Sequence, residues 1–169
     1  MRETKILAIS RKKIAFLTKL VALLSVAVIV PLFHQQMITG PVVNATLFVA
    51  TAVLGVSGGI LVGLIPGVIA LSVGLLPPVL APMIPFIMIS NTILVLTFHF
   101  LKDKNYWWGI IMASVLKFVF LYGTSSVVIS LLLKKEVAEQ VSLMMSWPQL
   151  LTALAGGCLA YGIIKWGKI

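Results

Sequence analysis

The sequence predicts an all-α integral membrane protein of six transmembrane helices with both termini in the cytoplasm. Three observations carry this. The 169 residues are 60% hydrophobic and only 10% charged, and their mean hydropathy of +1.15 lies outside the range of soluble globular domains. The apolar residues fall into long runs, and a hydrocarbon core of about 30 Å needs about 20 helical residues to cross it. The bases gather before and between those runs, mainly on one side, as they do in short cytoplasmic segments.

A basic tail over residues 1–13, carrying Arg2, Lys5, Arg11, Lys12 and Lys13, precedes a single six-helix domain over residues 14–169. The first helix, residues 14–33, has about the length of one full span. No small-residue cleavage site follows at Phe33-His34-Gln35-Gln36, so it reads as an uncleaved helix rather than a signal peptide. Gly40-Pro41 then marks a turn.

The stretch 42–76 is apolar throughout. As one helix rising 1.5 Å per residue it would reach roughly 50 Å, well beyond the hydrocarbon core, so it must fold back once. Gly55-Val56-Ser57-Gly58-Gly59 is the natural break. A second helix over 42–54 and a third over 59–76 follow, closed by Pro77 and Pro78.

The fourth helix covers 79–101, with Pro82 and Pro85 in its outer turns, and ends at Lys102-Asp103-Lys104-Asn105. The fifth, from Tyr106 to about residue 133, is too long for an upright span and needs tilt or a bend near Gly123. Residues 134–147 form a polar connection in which Val137, Val141 and Met144 recur at helical spacing, fitting a short surface helix or a plain amphipathic linker. Pro148 opens a sixth helix that reaches Trp166.

Six spans with the N-terminus inside put the basic tail, the Lys102/Lys104 turn and the Lys165/Lys168 tail in the cytoplasm. Only Lys134 and Lys135 fall outside, beside Glu136 and Glu139. Treating 42–76 as one span would put the Lys102 turn outside, against the charge rule. Tyr106, Trp107, Trp108 and Trp166 mark the inner interface, and Trp147 the outer one.

The net charge of +9 would suggest nucleic acid if the bases formed one stripe. They are spread between spans instead, so no nucleic-acid partner is expected. Cys158 is the only cysteine and lies in an apolar run, which leaves no intrachain disulfide and no thiolate metal cluster. There is no Gly-rich Lys-Ser/Thr phosphate loop and no His/Cys/carboxylate cluster, and no carboxylate lies within a span. ATP hydrolysis, metal catalysis and a carboxylate proton relay therefore lack residues. Neither enzymatic activity nor a cofactor or metal is expected. His99, near the inner end of the fourth helix, reads as an interfacial histidine.

Lys117 is the most informative residue. It lies roughly 16 Å from the inner boundary of the fifth helix, deeper than a lysine stem can snorkel. Ser114, Thr124 and Ser125 share its face, and such a polar stripe belongs against the bundle interior or a wet cavity. Asn91, counted back from the same Lys102 turn, has almost the same depth, so the two are expected to meet. Their contact either serves a ligand or is a plain interhelical hydrogen bond.

Gly55, Gly59, Gly63 and Gly67 recur every four residues, a small-residue groove that serves partner-helix packing inside the bundle or against another subunit. Gly156 and Ala160 repeat the signal in the sixth helix. On the outer side His34, Gln35 and Gln36 follow the first helix, Asn44 and Thr46 open the second, and Trp147 and Gln149 flank the start of the sixth. Such loops form either a small-molecule site or ordinary interfacial caps. Asn44-Ala45-Thr46 formally matches a glycosylation acceptor but sits too close to the membrane.

Six short helices, both termini inside, Gly- and Pro-broken middle segments and no nucleotide motif together resemble the substrate-binding S subunits of energy-coupling-factor transporters, over nearly the whole chain. Many members carry Ala-xxx-Ala in the first helix. Here that helix reads Ala22-Leu23-Leu24-Ser25-Val26-Ala27. The resemblance implies high-affinity capture of a vitamin or related water-soluble micronutrient at the outer face of a bacterial plasma membrane. It further implies a transmembrane coupling subunit and cytoplasmic ATPase subunits as partners. Under it Lys117 favours an anionic group and Asn91 orients that group, while Tyr122, Trp147 and the His34-Gln35-Gln36 loop cover it. Two readings from other classes stand beside it: a structural scaffold of cell-envelope machinery that uses the glycine ladder, and a membrane subunit of a redox or ion-translocating complex.

Overall fold

The computed structural model describes residues 2–33, 35–72, 78–132, 142–143 and 145–167. These form five helices, and no strand occurs among them. Helix α1 runs Arg2–Ile29 and passes into a 3-10 turn at Val30–Phe33. No Gly or Pro interrupts residues 2–29, so the helix begins well before residue 14 and the basic segment is its first turns rather than a separate tail. At 28 residues it is about 42 Å long, which exceeds a hydrocarbon core of about 30 Å.

Helix α2 spans Gln36–Ser72 and contains one non-helical residue, Gly55, at φ 75 and ψ −168. That backbone region is almost restricted to glycine. Gly55 joins two helical limbs, 36–54 and 56–72, that lie side by side. In a straight helix Leu47 and Gly63 would stand about 24 Å apart. Instead, a Cβ on Gly63 would lie 3.3 Å from Leu47 Cδ2, and one on Gly59 would lie 2.5 Å from Thr51 Oγ1. The contacts 47/63 and 51/59 are both centred on residue 55, so the chain reverses there.

The first limb begins at Gln36 rather than residue 42, and Gly40-Pro41 sits inside it. The turn signal has another cause: a Cβ on Gly40 would meet Thr152 at 2.7 Å, so glycine there admits the last helix. Pro41 forgoes a single helical hydrogen bond.

A 3-10 segment Pro78–Met83 leads into α3, Ile84–Leu101, with Pro85 in its first turn. The sequence pattern assigns 79–83 to the same helix, but Pro82 and Pro85 restrict the residues before them and delay the α-helical start. After the turn at residues 102–105, the Asn105 Oδ1 accepts the Trp108 N–H at 3.1 Å and so caps α4, Tyr106–Leu132. Helix α4 continues through Gly123. The last helix, α5, runs Trp147–Trp166 with Pro148 in its first turn, as the sequence indicates. His34, Val137, Val141 and Met144 lie outside the described residues.

The first limb of α2 is the axis of the bundle. Every residue from 44 to 51 is buried, a helix enclosed on all sides. Leu94, Val95 and Phe98 of α3, Ile110 and Ala113 of α4, and Ala153 and Ala160 of α5 pack around it. Phe48 meets Phe98 edge to face at 4.8 Å.

Helix α5 approaches at backbone distance. A Cβ on Gly156 would lie 2.7 Å from Asn44 Cβ and 2.8 Å from both Ala45 N and Pro41 O, and one on Gly157 would collide with Ile110 of α4. The periphery is apolar on many faces. Ile14, Val21, Trp108, Val119 and Leu151 are all exposed, as they are on a surface that faces lipid. Five helices are long and apolar enough to cross a membrane.

Candidate functional site

Lys117 stands in the middle of α4 and is 4% exposed. Its ammonium donates to Asn44 Oδ1 on the first limb of α2 at 2.6 Å and to Asn91 Oδ1 on α3 at 2.8 Å. Each amide is held in turn by its nitrogen. Asn44 Nδ2 donates to the Gly40 carbonyl one helical turn back, and Asn91 Nδ2 donates to the Gly63 carbonyl across the bundle, both at 2.9 Å. The two amide groups are thereby turned with their oxygens toward the ammonium. The network joins both limbs of α2 to α3 and α4.

The closeness of Asn91 to Gly63 depends on glycine. A Cβ at position 63 would stand 3.1 Å from Asn91 Cβ, inside ordinary contact. Gly156 plays a similar part for Asn44, whose Cβ rests against it.

The expected meeting of Lys117 and Asn91 is therefore observed. Asn44 is the partner that sequence reasoning placed elsewhere, among the outer caps. Depth counted from the inner turns would have found it. Asn44 is eleven residues before Gly55, Lys117 eleven after Tyr106, and Asn91 ten before Leu101, which puts all three at one level.

The other expected site residues do not gather there. Tyr122 is 53% exposed and its ring lies against Phe118. Five residues from Lys117, it is turned about 140° around the helix. Trp147 and Gln35 are exposed on the surface of the bundle, and Gln149 is half-buried in the first turn of α5. His34 is outside the described residues.

The glycine ladder is filled from within. Gly59 faces Thr51 and Val95, Gly63 faces Leu47 and Asn91, Gly67 faces Ile84, and Gly55 makes the turn. The two most crowded positions, Gly59 and Gly63, leave no room for a second subunit.

Among the described residues no carboxylate accompanies the ammonium. The four acidic residues are Glu3, Asp103, Glu136 and Glu139, none of them in the middle of a span. Lys117 is solvated by the two amide dipoles. One further buried group belongs to this face of α4. Ser114, fully buried one turn before Lys117, has a hydroxyl with no partner among the described residues.

Outside the core, Asp103 in the turn bonds Lys102 at 2.8 Å. That contact holds its carboxyl below the ordinary value of 3.8. An apolar groove of about 250 Å³ lies between α1, α2 and α5, lined by Leu23, Val26, Val42, Val49, Leu159 and Ile163 among others. It suits alkyl chains rather than polar compounds.

The fold and the buried Lys117 network define a multi-pass helical membrane protein with a polar centre in its core. No family model, curated protein or solved structure matches the chain.

Proposed function

We propose that the chain crosses a bacterial plasma membrane six times with both termini in the cytoplasm and serves as the binding subunit for uptake of a small water-soluble micronutrient. The chain reversal at Gly55 supports the six crossings, because each limb, of about 17 to 19 residues, is close to a full span. With that reversal, the start of α1, Gly55, the Lys102 turn and the end of α5 alternate onto one side, which carries most of the bases.

The observation that carries the binding role is the buried Lys117 side chain between Asn44 and Asn91, with no carboxylate beside it among the described residues. Ionisable groups at membrane depth are expensive and mark ligand or ion sites when they face the bundle interior. In this reading a coupling subunit and cytoplasmic ATPases, as in the energy-coupling-factor transporters that the sequence resembles, drive release inward. The chain itself catalyses nothing.

The closure of the centre favours a second reading, a membrane scaffold with no ligand. Lys117, Asn44, Asn91 and Ser114 are all less than 8% exposed, as a structural lock would be. Native mass spectrometry of the gently purified protein, followed by denaturing analysis of released metabolites, separates the two. The uptake reading expects a stoichiometric small molecule. An empty protein bound stably to envelope proteins would replace it with the scaffold. Gly63→Leu does not discriminate by itself, since it would break the contact with Asn91 and Leu47 inside the chain.

A further inference from the structure

We propose that the apolar groove between α1, α2 and α5 seats an acyl chain of an anionic phospholipid, whose phosphate is held by Lys12 and Lys19 at the groove's Gly55 end. The groove encloses about 250 Å³, and Val42 and Val49 on its α2 wall stand roughly 10 Å apart along the helix. Thr46 also lines it, but that hydroxyl already donates to the Val42 carbonyl, so the wall suits an alkyl chain. A second helix about 10 Å across would displace roughly 800 Å³ over the same length, about three times what the groove holds.

The bases lie at one end of this groove. Gly40 stands against Thr152 and Gly156 against Asn44, so α5 runs beside the first limb of α2 in the same direction, and its last turn reaches the level of Gly55. Helix α1 joins that limb through the short turn at Val30–Phe33 and packs back along it. Counting from the turn puts Lys19 level with Ile163, and Lys12 roughly 10 Å nearer the start of α1.

At 100° per residue, Lys12, Phe16, Lys19, Leu23 and Val26 fall within about 80° of one another around α1. The two lysines therefore share the face that lines the groove. Lys19 is one turn from Leu23, and a long side chain leans toward the helix N-terminus, which here carries the ammonium out of the apolar region. A second hollow of about 360 Å³ lies over Lys12, Lys13, Phe16 and Leu17 and continues this side of α1. On α5, Trp166 follows Ile163 by one turn and is 94% exposed, the setting of an interfacial indole among headgroups.

Lys12 and Lys19 are exposed and make no ion pair among the described residues. Phosphate oxygens supply the acceptors they lack, and bases beside a span attract anionic lipid. A neutral lipid would fill the groove and leave both lysines unmet. The site is independent of the uptake reading, since a scaffold would hold the same lipid.

The test is native mass spectrometry of the full chain titrated with phosphatidylglycerol or with phosphatidylcholine of matched chains. The wild-type protein is expected to bind phosphatidylglycerol well above phosphatidylcholine. Lys12→Gln with Lys19→Gln should weaken that binding by roughly 25-fold, about fivefold per base. Lys102→Gln with Lys104→Gln removes the same charge from the turn before α4 and should change it little. Val26→Trp, at a position 41% exposed, should weaken both lipids by filling the chain seat; Leu159→Trp fills it from the opposite wall should the first variant melt early. Equal binding of the two lipids by the wild type would overturn the proposal. So would equal losses in the two lysine pairs, undiminished phosphatidylglycerol binding in a folded groove-filled variant, or a lipid-free dimer, which would give the groove to a second copy.

Discussion

Replacing Asn91 by leucine should damage this protein more than replacing the lysine it solvates. Asn91→Leu keeps the branched outline of the side chain and leaves the Lys117 ammonium buried with Asn44 as its one remaining acceptor. A hydrogen bond to a charged group contributes about 1.5–3 kcal/mol, and stripping one partner from a buried charge costs about 3–5 kcal/mol. The expected loss is about 3 kcal/mol. Lys117→Met removes the charge together with its burial penalty and fills nearly the same space. What it leaves behind is two amide oxygens without a donor, at about 1–3 kcal/mol each, against relief of several kcal/mol from the buried ion. The expected net change is about 1 kcal/mol or less. In the double variant the Asn91 change should then add little, giving a coupling of about 3 kcal/mol by the cycle. Reversible unfolding in mixed micelles, followed by tryptophan fluorescence, measures all three. A loss below about 1 kcal/mol for Asn91→Leu, or a Lys117→Met variant weaker than Asn91→Leu, would refute the idea that the two amides solvate the charge.

Gly55→Ala should destabilise by about 1–3 kcal/mol through backbone strain alone, because a Cβ there meets nothing within 4 Å; the same unfolding assay reads it. Gly156→Ala should also destabilise, since its Cβ would press on Pro41 O and Ala45 N at 2.8 Å and push α5 from the Asn44 segment. Gly162→Ala, with open space around it, should stay within about 0.5 kcal/mol and serves as the control. Asp103 should titrate below 3.8 when its carboxyl carbon is followed by NMR. Its depressed folded value means that the Lys102 contact contributes fully at neutral pH and is lost only as pH falls through that lower value; Lys102→Gln should return the titration toward 3.8.

Much of the fold was legible because span length and base distribution are one-dimensional. The excess length of 42–76 required a reversal, and the glycine run located it at Gly55. The elements that shifted were those whose local signal had a tertiary cause. Gly40-Pro41 looks like a turn, yet glycine is needed there to admit Thr152. The start of α3 moved to Ile84 because prolines delay an α-helix without ending helical structure altogether. The continuity of α1 back to Arg2 was hidden by charge, which sets membrane position and does not stop a helix.

At the site, the sequence by itself determined that a lysine and an asparagine lie at the same depth in adjoining helices with no acid to meet them. Depth follows from rise per residue, and the sequence states which residues are charged. Only the tertiary structure decided the rest. Asn44 reaches Lys117 because α5 packs on glycine against it, and Asn91 is oriented by a carbonyl 28 residues away. Tyr122 and Trp147 face outward because rotation about a helix axis is set by packing partners. The glycine ladder closed on its own chain for the same reason: small residues permit a close approach, and only the folded arrangement of α2 and α3 supplies the helix that makes it.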